Sequence, residues 1–342
     1  MGDHDPQGML DLVLRLPVFC RQAWTLGREV VVAARPSAIV VIGMGGSGIG
    51  GDLLRALFLD DVPVPVAVVK DYRLPAFVDR AALVFACSYS GNTEETLAAY
   101  DDASQRGATC VAVTSGGALR DRAAQRGQQT VLLPPGIPPR AALPYVFLPM
   151  VSALSHGGVV PPMDDAAHEA AEVVAAVLNA ERPDAPSSRA RALAGAFHGR
   201  IPVIYSATPF LEPAAQRWKD QLNENAKTFA VWNTFPELNH NETVGWGLDA
   251  ALATHLAVVV LHDPHESDRL RRRVDITKDL AFGSAGSVDE VTAAGSGKLA
   301  RLLSIIAIGD LVSVDLARRR EVDPTPVPVI EELKKRLSES RR

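Results

Sequence analysis

Cysteine is scarce: the 342 residues hold three, Cys20, Cys87 and Cys110, odd in number and far apart. They make neither a disulfide framework nor a zinc-binding spacing, and fit a reducing compartment. Basic residues are not in excess. Lys+Arg number 35 against 40 Asp+Glu, a net charge of −5, which gives no sign of nucleic-acid binding as the main task. Apolar stretches such as 256–261 are far too short to span a bilayer. The opening MGDHDPQG is polar and acidic, so no secretory signal is expected. There is no Walker sequence, short-period repeat or low-complexity tract. What remains is ordinary globular composition, 47% hydrophobic and 22% charged, over a length that suits two domains. We expect a soluble, cytoplasmic protein with neither a nucleic-acid nor a membrane partner.

The first half alternates β-branched runs with helical stretches. Strands are expected at 38–42, 64–69, 82–87, 109–113 and 130–133, with helices at 47–59, 92–106 and 117–126. Continuous apolar strands separated by helices indicate a parallel sheet covered on both faces. A leading helix is expected over 7–34, ended near Arg35-Pro36. The proline-rich PPGIPPR, 134–140, excludes regular structure, and helices should follow at 141–156 and 164–180. Residues 181–188 read as a linker. The second half repeats the alternation, with strands at 202–206, 228–232 and 256–261 and helices at 210–227, 265–274, 296–318 and 329–338. The expected fold is α/β: two doubly wound, flavodoxin-like parallel-sheet domains in tandem, over 1–158 and 159–342.

Two loops carry chemistry. GMGGSGIGG, 43–51, joins the first strand to a helix. Such a turn lets backbone approach a phosphate with helix amides aimed at the anion. Gly43, Gly45 and Gly48 also satisfy G-x-G-x-x-G, and Asp71 follows the next strand, so a dinucleotide site is an alternative, as is a bare tight turn. The third strand ends in CSYSGNTEET, 87–96, which sets Ser88, Ser90 and Thr93 around Gly91-Asn92 where a helix begins. Asn92 or Thr93 is expected to cap that helix. Hydroxyls at a helix start suit a phosphate that stays attached, because phosphoryl transfer would call for a lysine or Mg²⁺.

GMGGSG and SYSGNTEE together resemble the sugar isomerase (SIS) domain, which binds phosphosugars. PPGIPPRAALPY, 134–145, and QLNENAKTFAVWNTFPELNHNE, 221–242, narrow the resemblance to the bifunctional phosphoglucose/phosphomannose isomerase family, over nearly the whole chain. It implies two SIS-type domains and a phosphosugar held by Gly45, Gly46, Ser47, Ser88, Ser90 and Thr93. It further implies an aldose–ketose isomerase acting on glucose 6-phosphate and/or mannose 6-phosphate and fructose 6-phosphate without metal or cofactor.

That reaction needs a base between C1 and C2, charge stabilisation of an enediolate, and an acid/base for ring opening. A carboxylate in a dry pocket suits the first and a histidine the last. By residue type alone, Glu224 is a surface helix acid, His240 a loop histidine, Arg140 a loop arginine and Lys334 a solvated helix lysine. The resemblance implies instead that Glu224 is the base and that Arg140 stabilises the enediolate. His240 and Lys334 would assist ring opening, with Lys335 the competing lysine. It also implies a homodimer in which His240 crosses the interface. Two departures stand out: TFAVWN, 228–233, replaces the family's V-P-A-F-W-N, and Val327 stands where some members carry threonine before P-x-I-x-x-L-K. They bear on the choice between glucose and mannose epimers. Glu237 and Glu242 read as a helix start and a supporting acid.

His262, His265 and Glu266 form no convergent metal set, and Cys87 reads as a core thiol. The arginine triplets at 271–273 and 318–320 read as solvated helix faces. Trp232 and Trp246 read as packing. The rivals are a non-catalytic phosphosugar sensor, since fold does not fix function, and a dinucleotide-dependent oxidoreductase resting on G-x-G-x-x-G and Asp71.

Overall fold

The computed structural model of the chain describes residues 4–32, 35–247 and 249–339. Strands β1 (Ile39–Ile42), β2 (Val66–Val69), β3 (Leu83–Cys87), β4 (Thr109–Thr114) and β5 (Gln129–Leu132) form one parallel sheet in the order β2-β1-β3-β4-β5. β1 and β3 are buried at every position, which is why both read as unbroken apolar runs. A second parallel sheet joins β6 (Ile201–Ser206), β7 (Val231–Thr234), β8 (Leu256–His262) and β9 (Ser287–Thr292) in the order β7-β6-β8-β9. Strand order reverses at β1/β3 in the first sheet and at β6/β8 in the second. Ligands of doubly wound sheets bind outside the strand ends at such reversals.

The helices show where local sequence decides. The leading segment is two helices, Met9–Leu14 and Leu16–Leu26, broken at Arg15. Pro17 lacks the amide that would continue the ladder. Positions 33–34, at the end of the expected single helix, lie outside the described residues. Asp164–Ala180 falls where it was expected, whereas Arg189–Phe197, capped by Ser188 Oγ on the Arg191 amide, was not foreseen. The helix Lys298–Arg319 is buried from Leu299 to Ala317 and packs against Asp164–Ala180, Arg189–Phe197 and Glu212–Glu224. One apolar core runs through both halves of the chain. The two sheets are therefore held together by packed helices rather than by a loose tether.

Candidate active site

The glycine turn begins its helix, Gly45–Phe58, at the C-terminal end of β1. Gly45 takes φ +52, in the left-handed region, and a Cβ on Gly48 would fall 2.6 Å from the Gly43 carbonyl oxygen. Glycine is required at both positions. The amides of Ser47 and Gly48 bond back to Met44 O at 3.0 and 3.2 Å. Those of Gly45 and Gly46 begin the helix and have no intrahelical acceptor.

The hydroxyl loop at the end of β3 divides its labour. Ser88 is buried, and its Oγ accepts from the amides of Gly91 (3.1 Å) and Thr93 (3.4 Å) and bonds Thr93 Oγ1 at 2.9 Å. It builds the loop. Thr93 occupies the cap position of the helix Glu94–Gln105 without a side-chain cap. Asn92 instead donates to Ser90 O and accepts from the Ala118 amide. The expected cap is therefore replaced by ties across the loop. Ser90, Asn92 and Thr93 line a cleft of about 760 Å³, whose opposite wall includes Ile330, Leu333 and Lys334 of the terminal helix Pro328–Glu339.

Arg140 sits in the 3₁₀ turn Pro139–Ala141. The turn touches the glycine loop: a Cβ on Gly46 would lie 3.3 Å from Pro139 O and 3.5 Å from Arg140 Cα. The Arg140 side chain is only 5% exposed and points into the second half of the chain. Its Nε donates to Asn225 Oδ1 (2.6 Å), and its Nη2 donates to the carbonyls of Pro324 (2.6 Å) and Thr325 (2.7 Å). Its Nη1 lies 3.5 Å from Glu224 Oε2. Burial lowers the Arg140 pKa, Glu224 opposing, yet a guanidinium stays charged.

Glu224 ends the helix Glu212–Glu224. It lines an apolar cavity of about 440 Å³ with Lys227, Phe229, Val327 and Ile330. Burial raises its pKa, and the Arg140 charge partly offsets that. Ile330 lines this cavity and the hydroxyl-loop cleft alike. The structure thus brings Arg140 to Glu224, and Lys334 to Ser90 and Thr93.

His240 is not among them. It is exposed in the 3₁₀ turn Glu237–His240, which follows the C-terminal end of β7, whereas Glu224 precedes the N-terminal end. The four residues of β7 alone rise about 13 Å. The turn is braced behind His240. Tyr205 donates to Glu242, and the Trp246 indole donates to Tyr205 Oη at 3.0 Å.

Two neighbours of Glu224 escaped the sequence reading. Asn225 is fully buried on Arg140. Lys227, at φ 52, reaches Pro324 O at 3.0 Å, and burial lowers its pKa. Their signal was the compact NENAK string itself. Of the residues set aside, Cys87 is buried against Met150, its thiol pKa raised by burial. Trp246 packs on Phe282 at 4.8 Å. His262 Nδ1 lies 2.9 Å from Glu266, and Asp71 accepts from the Tyr72 amide.

The chain matches the family model of the SIS domain over residues 34–127 and that of the bacterial phospho-glucose isomerase C-terminal SIS domain over residues 187–337. A bifunctional phosphoglucose/phosphomannose isomerase of Caldicellulosiruptor bescii is 40% identical over 336 residues, 97% of this chain and 99% of that protein. One of the same description from Thermoplasma acidophilum is 38% identical, covering 88% of this chain and 90% of its own. Among solved structures, a hypothetical protein of Thermus thermophilus superposes with TM-score 0.76 at 17% identity, over 98% of this chain and 91% of that one. At that identity the likeness is one of fold.

Proposed function

Because the chain belongs to the bifunctional phosphoglucose/phosphomannose isomerase family, we propose that it is a phosphosugar isomerase. It interconverts glucose 6-phosphate and/or mannose 6-phosphate with fructose 6-phosphate. The first domain, residues 1–158, holds the phosphate on Ser47, Ser90, Thr93 and the Gly45 and Gly46 amides, with Ser88 shaping the loop. The second, 159–342, supplies the base. Glu224 takes the C2 proton of the open-chain aldose and returns it to C1, and the reverse. The Nη1 edge of Arg140 faces the enediolate oxygens formed between the two transfers. Lys334 and His240 exchange protons with the ring oxygen and the C1 hydroxyl during opening.

One observation carries this reading: a carboxylate whose pKa is raised by burial stands 3.5 Å from a guanidinium fixed by its surroundings. A carboxylate base with its pKa raised by burial, beside a positioned cation, is what proton transfer through an enediolate requires. As the family resemblance implies, His240 comes from a second copy and the working unit is a homodimer, which is consistent with β7 lying between Glu224 and His240 within one chain.

The test is a coupled assay with fructose 6-phosphate in excess EDTA, reading glucose 6-phosphate and mannose 6-phosphate separately, beside Glu224→Ala. Turnover unaffected by EDTA and lost in the variant is expected, and the product ratio gives the epimer preference. Tight phosphosugar binding without turnover would make the protein a sensor instead.

A further inference from the structure

A guanidinium has five N–H donors in a fixed plane. In Arg140, Nε is taken by Asn225 Oδ1, and both Nη2 donors by the Pro324 and Thr325 carbonyls. Only the Nη1 edge remains, and it faces Glu224. The backbone of Arg140 is fixed as well, since its carbonyl accepts from Arg217 Nη2 at 2.9 Å.

Asn225 is chemically singular in this arrangement. Its Oδ1 must accept, because Arg140 has only donors. That leaves Nδ2 to donate to Ser313 Oγ at 2.9 Å, and Ser313 Oγ in turn donates to the Asp310 carbonyl at 2.7 Å. Asn225 and Ser313 are both fully buried. A carboxylate at 225 would meet Arg140 but leave Ser313 Oγ without its donor; an aliphatic residue would do neither. Asn225 also caps the helix that ends in Glu224. Consecutive residues therefore present the carboxylate and hold the cation it faces.

We propose that Asn225, backed by Ser313, is a positioning residue: it turns the Nη1 edge of Arg140 toward the reacting carbons and Glu224. The catalytic part of this rests on the isomerase reading above; the geometric part does not. Asn225→Ala frees Nε, and Arg140 loses its bearing on the enediolate. The kcat should fall by about 10², the scale of losing one oxyanion donor. KM for fructose 6-phosphate should change little, because the phosphate loops are untouched. The acid limb of the pH profile should also move upward, since the Arg140 charge is what restrains the Glu224 pKa. A merely structural role would not move that limb. Ser313→Ala, which only loosens the Asn225 amide, should show smaller changes in the same directions, and it carries the test if Asn225→Ala does not fold.

The geometric part has its own readout. The Arg140 Nε–H resonance, identified by its loss in Arg140→Lys, should exchange slowly with water in the intact protein and rapidly in Ser313→Ala or Asn225→Ala. Unaltered kcat and acid limb in folded variants would overturn the positioning role, as would fast exchange in the unmodified protein. An inactive unmodified protein with the slow resonance present would instead sink the isomerase reading while leaving the Asn225–Arg140 geometry standing.

Discussion

Asp310→Asn should be among the most damaging single substitutions in the second half. Arg217 Nη2 and Asp310 Oδ2 are 2.8 Å apart, with side chains 3% and 2% exposed. Asp310 Oδ1 also accepts from Gln221 Nε2 at 2.9 Å. The substitution keeps volume and the Gln221 acceptor but strands the Arg217 charge. Breaking one member of a buried pair costs about 3–5 kcal/mol. With a urea m-value of about 3 kcal/mol/M, that lowers the unfolding midpoint by roughly 1–1.7 M. Adding Arg217→Met removes the stranded charge. What then remains is the Arg140 carbonyl without its donor, a penalty of about 1–3 kcal/mol. The double variant should therefore be more stable than Asp310→Asn alone, by about 2 kcal/mol. Urea titration followed by tryptophan fluorescence measures this. Trp218, 1% exposed and bonded to Ile305 O at 2.9 Å, reports on these same two helices. A double variant as unstable as the sum of its singles would refute the reasoning, because it would mean that no unpaired charge had been created.

Two further outcomes follow from the site. Glu224 acts as a base only when ionised and its pKa is raised by burial, so kcat/KM should fall with decreasing pH at a point above the ordinary glutamate value of about 4.3. A pH–rate profile whose acid limb lies at or below that value would contradict the burial argument. If His240 works across a dimer, Glu224→Ala and His240→Ala should each be inactive, and mixed subunits should regain about a quarter of wild-type activity from the one intact site in each hybrid. Mixtures that stay inactive after verified exchange would place His240 elsewhere.

The apolar runs at 38–42 and 82–87 announced β1 and β3 because both faces of each are covered, and burial on both faces leaves a continuous signal. β9 gave no such signal. Its sequence SVDEVT is charged and half-exposed at a sheet edge, and pairing with β8 makes it a strand. The site divides in the same way. Ser88, Ser90 and Thr93 belong to one short loop, so their clustering was visible in the sequence. That Ser88 faces inward was not, because this depends on which amides fold back onto it. Arg140 and Glu224 lie 84 positions apart, and no local pattern could bring them together. Their joint reading came from resemblance. The partners of Arg140 at 324 and 325 were absent from the sequence reading altogether, because a carbonyl acceptor carries no residue-type signature.

Those two carbonyls also bear on how the protein is made. Arg140 leaves the ribosome long before residues 324 and 325, which lie 184 and 185 positions downstream. Domains generally fold N-terminal first during synthesis, so the first sheet and its loops can form while Arg140 still lacks its fixed orientation. The guanidinium is locked only when residues 324 and 325 arrive. A polypeptide released before residue 324 would keep the hydroxyl loop intact yet hold its arginine loosely. Occupancy of the phosphate loops would then report only that the first half has folded, whereas turnover would certify that the chain had been extended past Thr325.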